Sequence, residues 1–287
     1  MATSVLFDAP GPKTVRRHRV YTVVTVLVLL ALLALVVMRL ADRNQFAGDK
    51  WEVFTTPRYL DFIFFKGVVP TLKMAACGIL GAIVLGLVLG IGKISEHQWV
   101  RRPCWAIVEL FRAIPVLMLM IFFFSIYGIY HGTSGPFWCV VWALSLYNGA
   151  VLAEVFRAGI LAVPKGQAEA AYAIGMRKSQ VVWIILLPQA VKIMIPAIIS
   201  QMVVTLKDTS LGYAIAAPGL TAVARPLYLE FQNHVPVYLV LAAIYIAINL
   251  LLTAVATFVQ KRFVGERKQL QVAMVGEAQS ERSTGAV

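Results

Sequence analysis

The chain has 287 residues, of which 60% are hydrophobic and 14% charged, and its mean hydropathy is +0.78. Soluble domains carry about 25% charged and about 45–50% apolar residues, so this composition excludes a soluble globular protein. It points to an all-α integral membrane protein. The formal charge is +12, but lysines and arginines gather in loops and tails. That is the distribution of a membrane protein with its basic side in the cytoplasm, not of a nucleic-acid binder.

Residues 1–19 hold Asp8 against Lys13, Arg16, Arg17 and Arg19, and Pro10, Gly11 and Pro12 argue against regular structure there. They read as a cytoplasmic tail. Residues 20–41 form an apolar helix rich in valine and leucine, too long for a cleavable signal core, and expected to face lipid. Residues 42–66 carry four positive and four negative charges with Trp51, Phe54, Tyr59 and Phe62, which suits an outer interfacial segment.

A second helix is expected at about 67–92, with Gly86 and Gly90 spaced for close helix approach. Its end, Gly92-Lys93, resembles a fragment of a phosphate-binding loop. The glycine required five positions earlier is Leu87, and Ile94 stands where Ser or Thr belongs, so that motif is rejected. Residues 93–105 read as a short basic loop. A third helix is expected at about 106–130, carrying Glu109, Arg112 and Pro115, and HGTSGP (131–136) as an outer turn.

The fourth helix, about 137–163, carries Asn148, Glu154 and Arg157. The stretch 164–190 follows on the cytoplasmic side. Alanines dominate from Gln167 to Ile174, and Gly175 is placed to end that helix in a left-handed cap. A second amphipathic piece follows, with Pro188 tilting it into a fifth helix at about 192–211. Lipid insertion favours bulky Leu, Phe or Trp, whereas this face is alanine, which suits close docking into a protein groove. Residues 212–236 read as an outer loop, 237–260 as the sixth helix and 263–287 as a cytoplasmic tail. Six spans leave both termini inside, with each inner segment net basic.

A charge inside a membrane helix costs about 2.5–3.5 kcal/mol on insertion scales, so it pairs or faces water. Glu109 with Arg112, and Glu154 with Arg157, are each three apart on one helical face. Two readings stand for both pairs: ion pairs that hold helices together, or polar groups that meet a substrate. Glu154, with Asn148 on the same helix, is the better candidate to accept a substrate ammonium. Lys207, Asp208, Thr209 and Ser210 form a second polar cluster, which is either a solvated helix end or a functional group. His18, His97, His131 and His234 are scattered, and Cys77, Cys104 and Cys139 show no metal or disulfide spacing. No catalytic constellation is readable.

At the central stretch the residues carry a family likeness. Glu169-Ala170-Ala171, three residues, Gly175, nine residues, then Ile185-x-Leu187-Pro188 resembles the signature of permease subunits of ABC importers. Thr71-Leu72, Phe111-Arg112 with Pro115, Ala153-Glu154, Phe156-Arg157, Pro164-Lys165-Gly166-Gln167 and Leu206 to Leu211 resemble the polar amino acid permeases. The likeness spans about 65–262 and leans toward the glutamate type. It departs from the family at Ala113, where a small hydroxyl residue or glycine is common.

The resemblance implies a five-helix core with one added N-terminal helix in the plasma membrane. It implies a second permease subunit, identical or related, an extracytoplasmic solute-binding protein and an ABC ATPase subunit. ATP and Mg would sit on that ATPase, and this chain would bind no cofactor. Gly166, Gln167, Glu169, Ala170, Ala171, Gly175, Arg177, Leu187 and Pro188 would form the coupling contact. Asn148, Glu154, Arg157, Arg112 and Lys207 to Ser210 would line the substrate pathway. The alternatives are an ion-driven secondary transporter, an ABC permease for another small solute, or a membrane scaffold.

Overall fold

In a computed structural model, residues 12–264 are described. Helix α1 is Pro12–Asp42. It therefore starts inside the segment expected to be an unstructured tail. Proline is disfavoured within a helix but suited to its first turn, where its missing N–H is not needed. The apolar window of α1 has no buried residue. Two short turns, Gly48–Lys50 and Glu52–Phe54, lead to α2, a helical run over Pro57–Lys93.

Helix α2 begins ten residues before the expected start, because the aromatic segment after Pro57 is itself helical. It meets an obstacle at Pro70, whose ring would collide with the carbonyl four residues back. The chain answers with a wide π turn over Ile63–Val68, in which the Val69 N–H donates to Phe64 O, five residues back. The same device recurs later, at Val181–Leu186 just ahead of Pro188, where the Leu187 N–H donates to Val182 O.

The expected third helix is two. Helix α3 (Gln98–Ala113) and α4 (Val116–Ile126) meet at an angle of 98°. Pro115 causes the break by forcing its predecessor out of the helical region, and Ile114 is extended at φ −86°, ψ 125°. Helix α5 is Gly135–Leu161, α6 is Lys165–Ala173, and α7 runs over Lys178–Ile215 with its last turns, Thr209–Ile215, wound as a 3-10 helix. Pro188 therefore does not separate a second amphipathic piece from a later helix, since the π turn absorbs it within one run. Helices α8 (Ala224–Phe231) and α9 (His234–Val264) complete the described chain. Among the described residues five helices are long and apolar enough to cross a membrane, or six if the bent α3–α4 pair is counted as one span. The expected tail 263–287 lies almost wholly outside the described residues.

The chain forms two compact units. One comprises the chain up to Pro70 with Pro218–Ile244, and the other Thr71–Ala217 with the chain from Tyr245. In the first, the Tyr59 hydroxyl donates to Glu230 at 2.8 Å and the Asn233 amide to Lys50 O at 2.8 Å. Tyr59 also meets Phe231 edge to face.

In the second unit α5 is the central helix. Buried residues from Cys139 to Leu144 pack with Met74, Leu119 and Met120. Farther along, Leu152, Phe156 and Ile160 pack with Ala190 and Met194. Helix α2 lies against α5 through glycines. A Cβ at Gly86 would sit 2.7 Å from the Leu152 Cβ, and one at Gly90 would sit 2.8 Å from Ala153 O. Gly78 meets Leu144, so contacts advance in the same direction on both helices and the two run parallel. That agrees with two helices that both run toward the basic side of the chain.

Gly90→Val should wedge α2 from α5 and cost about 1–3 kcal/mol, the usual range for overpacking. The thermal unfolding midpoint in detergent reads it. Gly48→Ala, where an added Cβ meets nothing within 4 Å, should leave that midpoint unchanged.

Candidate functional site

The close α2–α5 approach delivers Lys93, the last residue of α2, to the side of α5. Its side chain is 4% exposed. Its ammonium donates to Glu154 Oε1 and lies 3.5 Å from Glu109 Oε1 on α3. Arg157 Nε donates to the other oxygen of Glu154 at 2.9 Å, and Arg112 lies 3.4 Å from Glu109. Both i,i+3 pairs expected from the spacing form, and Lys93 joins them into one network across three helices. The sequence alone places Lys93 at the start of a short basic loop. Hydropathy sees it as the residue that ends an apolar run, and only tertiary approach reveals a buried cation.

The network, with Arg101, Arg102 and Trp105, lines a cavity of about 460 Å³. Three cations and two carboxylates form the network, and the buried ammonium of Lys93 persists because carboxylates on two helices meet it. Glu154 thus has both oxygens engaged. Its side chain is 22% exposed, so it still faces the cavity.

Asn148 sits apart from Glu154. It is fully buried, its amide donates to Leu144 O at 3.0 Å, and its carbonyl accepts from Gln201 on α7 at 2.5 Å. Gln201 escaped the sequence reading, although a glutamine inside an apolar helix is itself a signal of an interhelical partner.

The Lys207–Ser210 cluster divides. Lys207 is exposed, as a solvated helix end requires, and Asp208 and Ser210 are half-buried. Thr209 is 2% exposed. The Tyr245 hydroxyl on α9 is hydrogen-bonded to Thr209 and to Thr71 on α2, so this part is interior, not a solvated end.

Between α5 and α7 lies the short helix α6. Gly166, Gln167, Glu169 and Ala170 are exposed, and Ala171 is its one buried residue. Gly175 takes φ +81°, the left-handed cap expected of it, and the Met176 N–H returns to Ala171 O at 3.1 Å. Arg177 and Pro188 are exposed and Leu187 half-buried. The Gln189 amide donates to Gln167 at 3.3 Å, fastening α6 to α7. Lys178 bonds Glu96, in the link between α2 and α3, at 2.8 Å. That hydrogen bond, with the ammonium charge, holds the Glu96 carboxyl below its ordinary range.

Residues 82–265 match the family described as binding-protein-dependent transport system inner membrane component. The chain belongs to this family of ABC importer permeases. The glutamate transport system permease protein GluD of Corynebacterium glutamicum is 41% identical over 242 residues, covering 83% of this chain and 89% of that protein. The octopine permease OccM of Rhizobium meliloti is 30% identical, covering 76% and 90%. A solved amino acid ABC transporter with histidines superposes with a TM-score of 0.62 at 27% identity, covering 70% of this chain and 94% of that one. The permease is thus an inner-membrane subunit of a transport system, and its family is not one of enzymes.

The match begins at Ala82 and takes in the ion network, α6 and α7, while α1 lies outside it. The cysteines are free, and no group of His, Cys, Asp or Glu among the described residues can hold a metal.

Two outcomes are expected of the permease. Lys93→Met should cost about 3 kcal/mol, the low end for breaking a buried pair because Glu154 keeps Arg157. Adding Glu154→Gln to it should restore part of that loss in a double-mutant cycle of detergent unfolding. The Glu96 pKa is depressed in the folded protein, so the Glu96–Lys178 link is present above the ordinary carboxylate range and lost as pH falls through the depressed value. The protection factors of the 94–97 amides, after correction for intrinsic exchange at each pH, should fall there in the wild type and stay level in Glu96→Gln.

Proposed function

We propose that this permease is the membrane-spanning subunit of an ATP-driven importer of a polar amino acid, of the glutamate or glutamine type. The single observation that carries the reading is α6. A short helix with an outward alanine, glycine and glutamate face, and only Ala171 buried, is built to be held by another protein. The occupant is an ABC ATPase subunit on the cytoplasmic side, where ATP and Mg are bound. Both chain termini lie on that side. A second permease subunit, identical or related, completes the path, and an extracytoplasmic binding protein delivers the solute. The 41% identity to a glutamate permease supports the choice of amino acid class.

The connectivity supports a mechanism. Helix α6 is continuous with α5 through Leu161 and with α7 through Gly175 and Lys178. Asn148 and Gln201 bind those two long helices to one another. A displacement of α6 therefore acts on both walls of the pathway together. Glu154, Arg157 and Arg112 line that pathway toward the ATPase, while Asn148, expected there, is buried between its walls. Lys207, Asp208, Thr209 and Ser210 shape its opposite end. Glu154, held in place by Lys93 and Arg157, meets the ammonium group of the passing amino acid.

Reversing the charge in Glu169→Lys should weaken ATPase copurification and lower uptake about tenfold or more, since like charges across an interface cost several kcal/mol. Normal uptake with normal copurification would remove α6 from the coupling role. Glu154→Gln should lower amino acid uptake about tenfold through loss of one charged hydrogen bond, with the ATPase still bound. Unchanged uptake would leave Glu154 a structural group alone.

A further inference from the structure

The ion network leaves two cations over. Arg101 and Arg102, near the start of α3, line the basic cavity and form no ion pair among the described residues. With them the cavity wall holds five cations against two carboxylates. Arg102 also lines a second crevice, with Gln98, Trp99, Pro103 and Ala106, of about 460 Å³. The second crevice is mainly apolar, and Trp99, at 92% exposed, stands beside it. Trp105, 58% exposed, stands at the wall of the first.

The helix that carries these groups has the character of a membrane-surface element. Its sequence, QWVRRPCWAIVELFRA, sets arginines and tryptophans beside apolar residues. Its axis turns 98° from α4, the strongly apolar limb, so the two cannot both run along the membrane normal. Arginine with interfacial tryptophan on such a helix meets lipid headgroups. We infer that Arg101 and Arg102 hold the phosphate of an anionic phospholipid at the mouth of the basic cavity, with an acyl chain along the Trp99–Pro103–Ala106 crevice.

The phosphate accepts from the two guanidinium groups, which present several donors in fixed planes and suit a phosphate better than a lone ammonium does. The lipid phosphate meets the two arginines that the ion network leaves unpaired, on the wall of the same cavity that Glu154 and Arg157 line. A phosphate-bearing lipid and free phosphate share this chemistry, and only the lipid also fills the apolar crevice.

The full permease, purified with its partner subunits into nanodiscs containing equal phosphatidylglycerol and phosphatidylcholine, is released in the mass spectrometer and its retained lipid counted. Phosphatidylglycerol should be retained over phosphatidylcholine. Near a membrane surface each basic residue is worth about a fivefold change in affinity, so Arg101→Gln/Arg102→Gln should lower that preference about 25-fold. Arg16→Gln/Arg17→Gln on α1 removes the same charge elsewhere and should leave it unchanged. Equal retention of the two lipids, an unaltered preference in Arg101→Gln/Arg102→Gln, or an equal loss in the α1 variant would overturn the inference. Displacement of the lipid by inorganic phosphate would overturn it too, making the two arginines a site for small soluble anions.

Discussion

Everything distinctive in this permease depends on how closely α2 and α5 approach. Two helices with ordinary side chains between them keep their axes 8–10 Å apart. Here Gly86 and Gly90 remove those side chains, and the backbone of α5 at Ala153 comes against α2 directly. In a bilayer no hydrophobic force draws one helix to another, so such contact-rich packing is the main attraction available. It also sets a geometry: one turn beyond Gly90, the lysine that ends α2 lies beside Glu154.

The ion network follows from that position, and so does its use. A lone lysine or glutamate at this depth would be expelled or neutralised. Five groups on three helices share their charges instead, with neither carboxylate left to a single partner. The same network fastens α3 to α5 where Val108 fits against Ala150 and Ala153. Stability and a polar surface facing a cavity come from one set of residues, so substitutions there change both.

Much of this was legible before any coordinates. The spans are apolar runs, and hydropathy finds them. Local spacing found both i,i+3 ion pairs, and the Glu169-to-Pro188 pattern with its glycine cap found α6, because helix periodicity and left-handed glycine are properties of short segments. What escaped is non-local or concerns breaks. Lys93 and Gln201 gain their roles from other helices. The bend at Ile114–Pro115 was read as one helix because both limbs are apolar and only two residues separate them. Pro188 misled differently: the helix passes it by widening one turn, as it also does at Pro70, which a rule about proline breaking helices does not anticipate. Thr209 looked like a polar helix end because its partners, Thr71 and Tyr245, are far away in sequence.

The widened turn at Val181–Leu186 has a consequence for how the chain tolerates change. A π turn holds one residue more than the α-helix it interrupts, and an α-helix rotates about 100° per residue. The direction in which Gln201 faces is therefore set by the number of residues between Lys178 and Pro188. Removing one residue there would swing the rest of α7 by about a quarter turn, taking Gln201 from Asn148 while leaving hydropathy almost as it was. Along this neck the number of residues, together with the buried Val181 and Val182, fixes how α6 is aligned with α5 and α7.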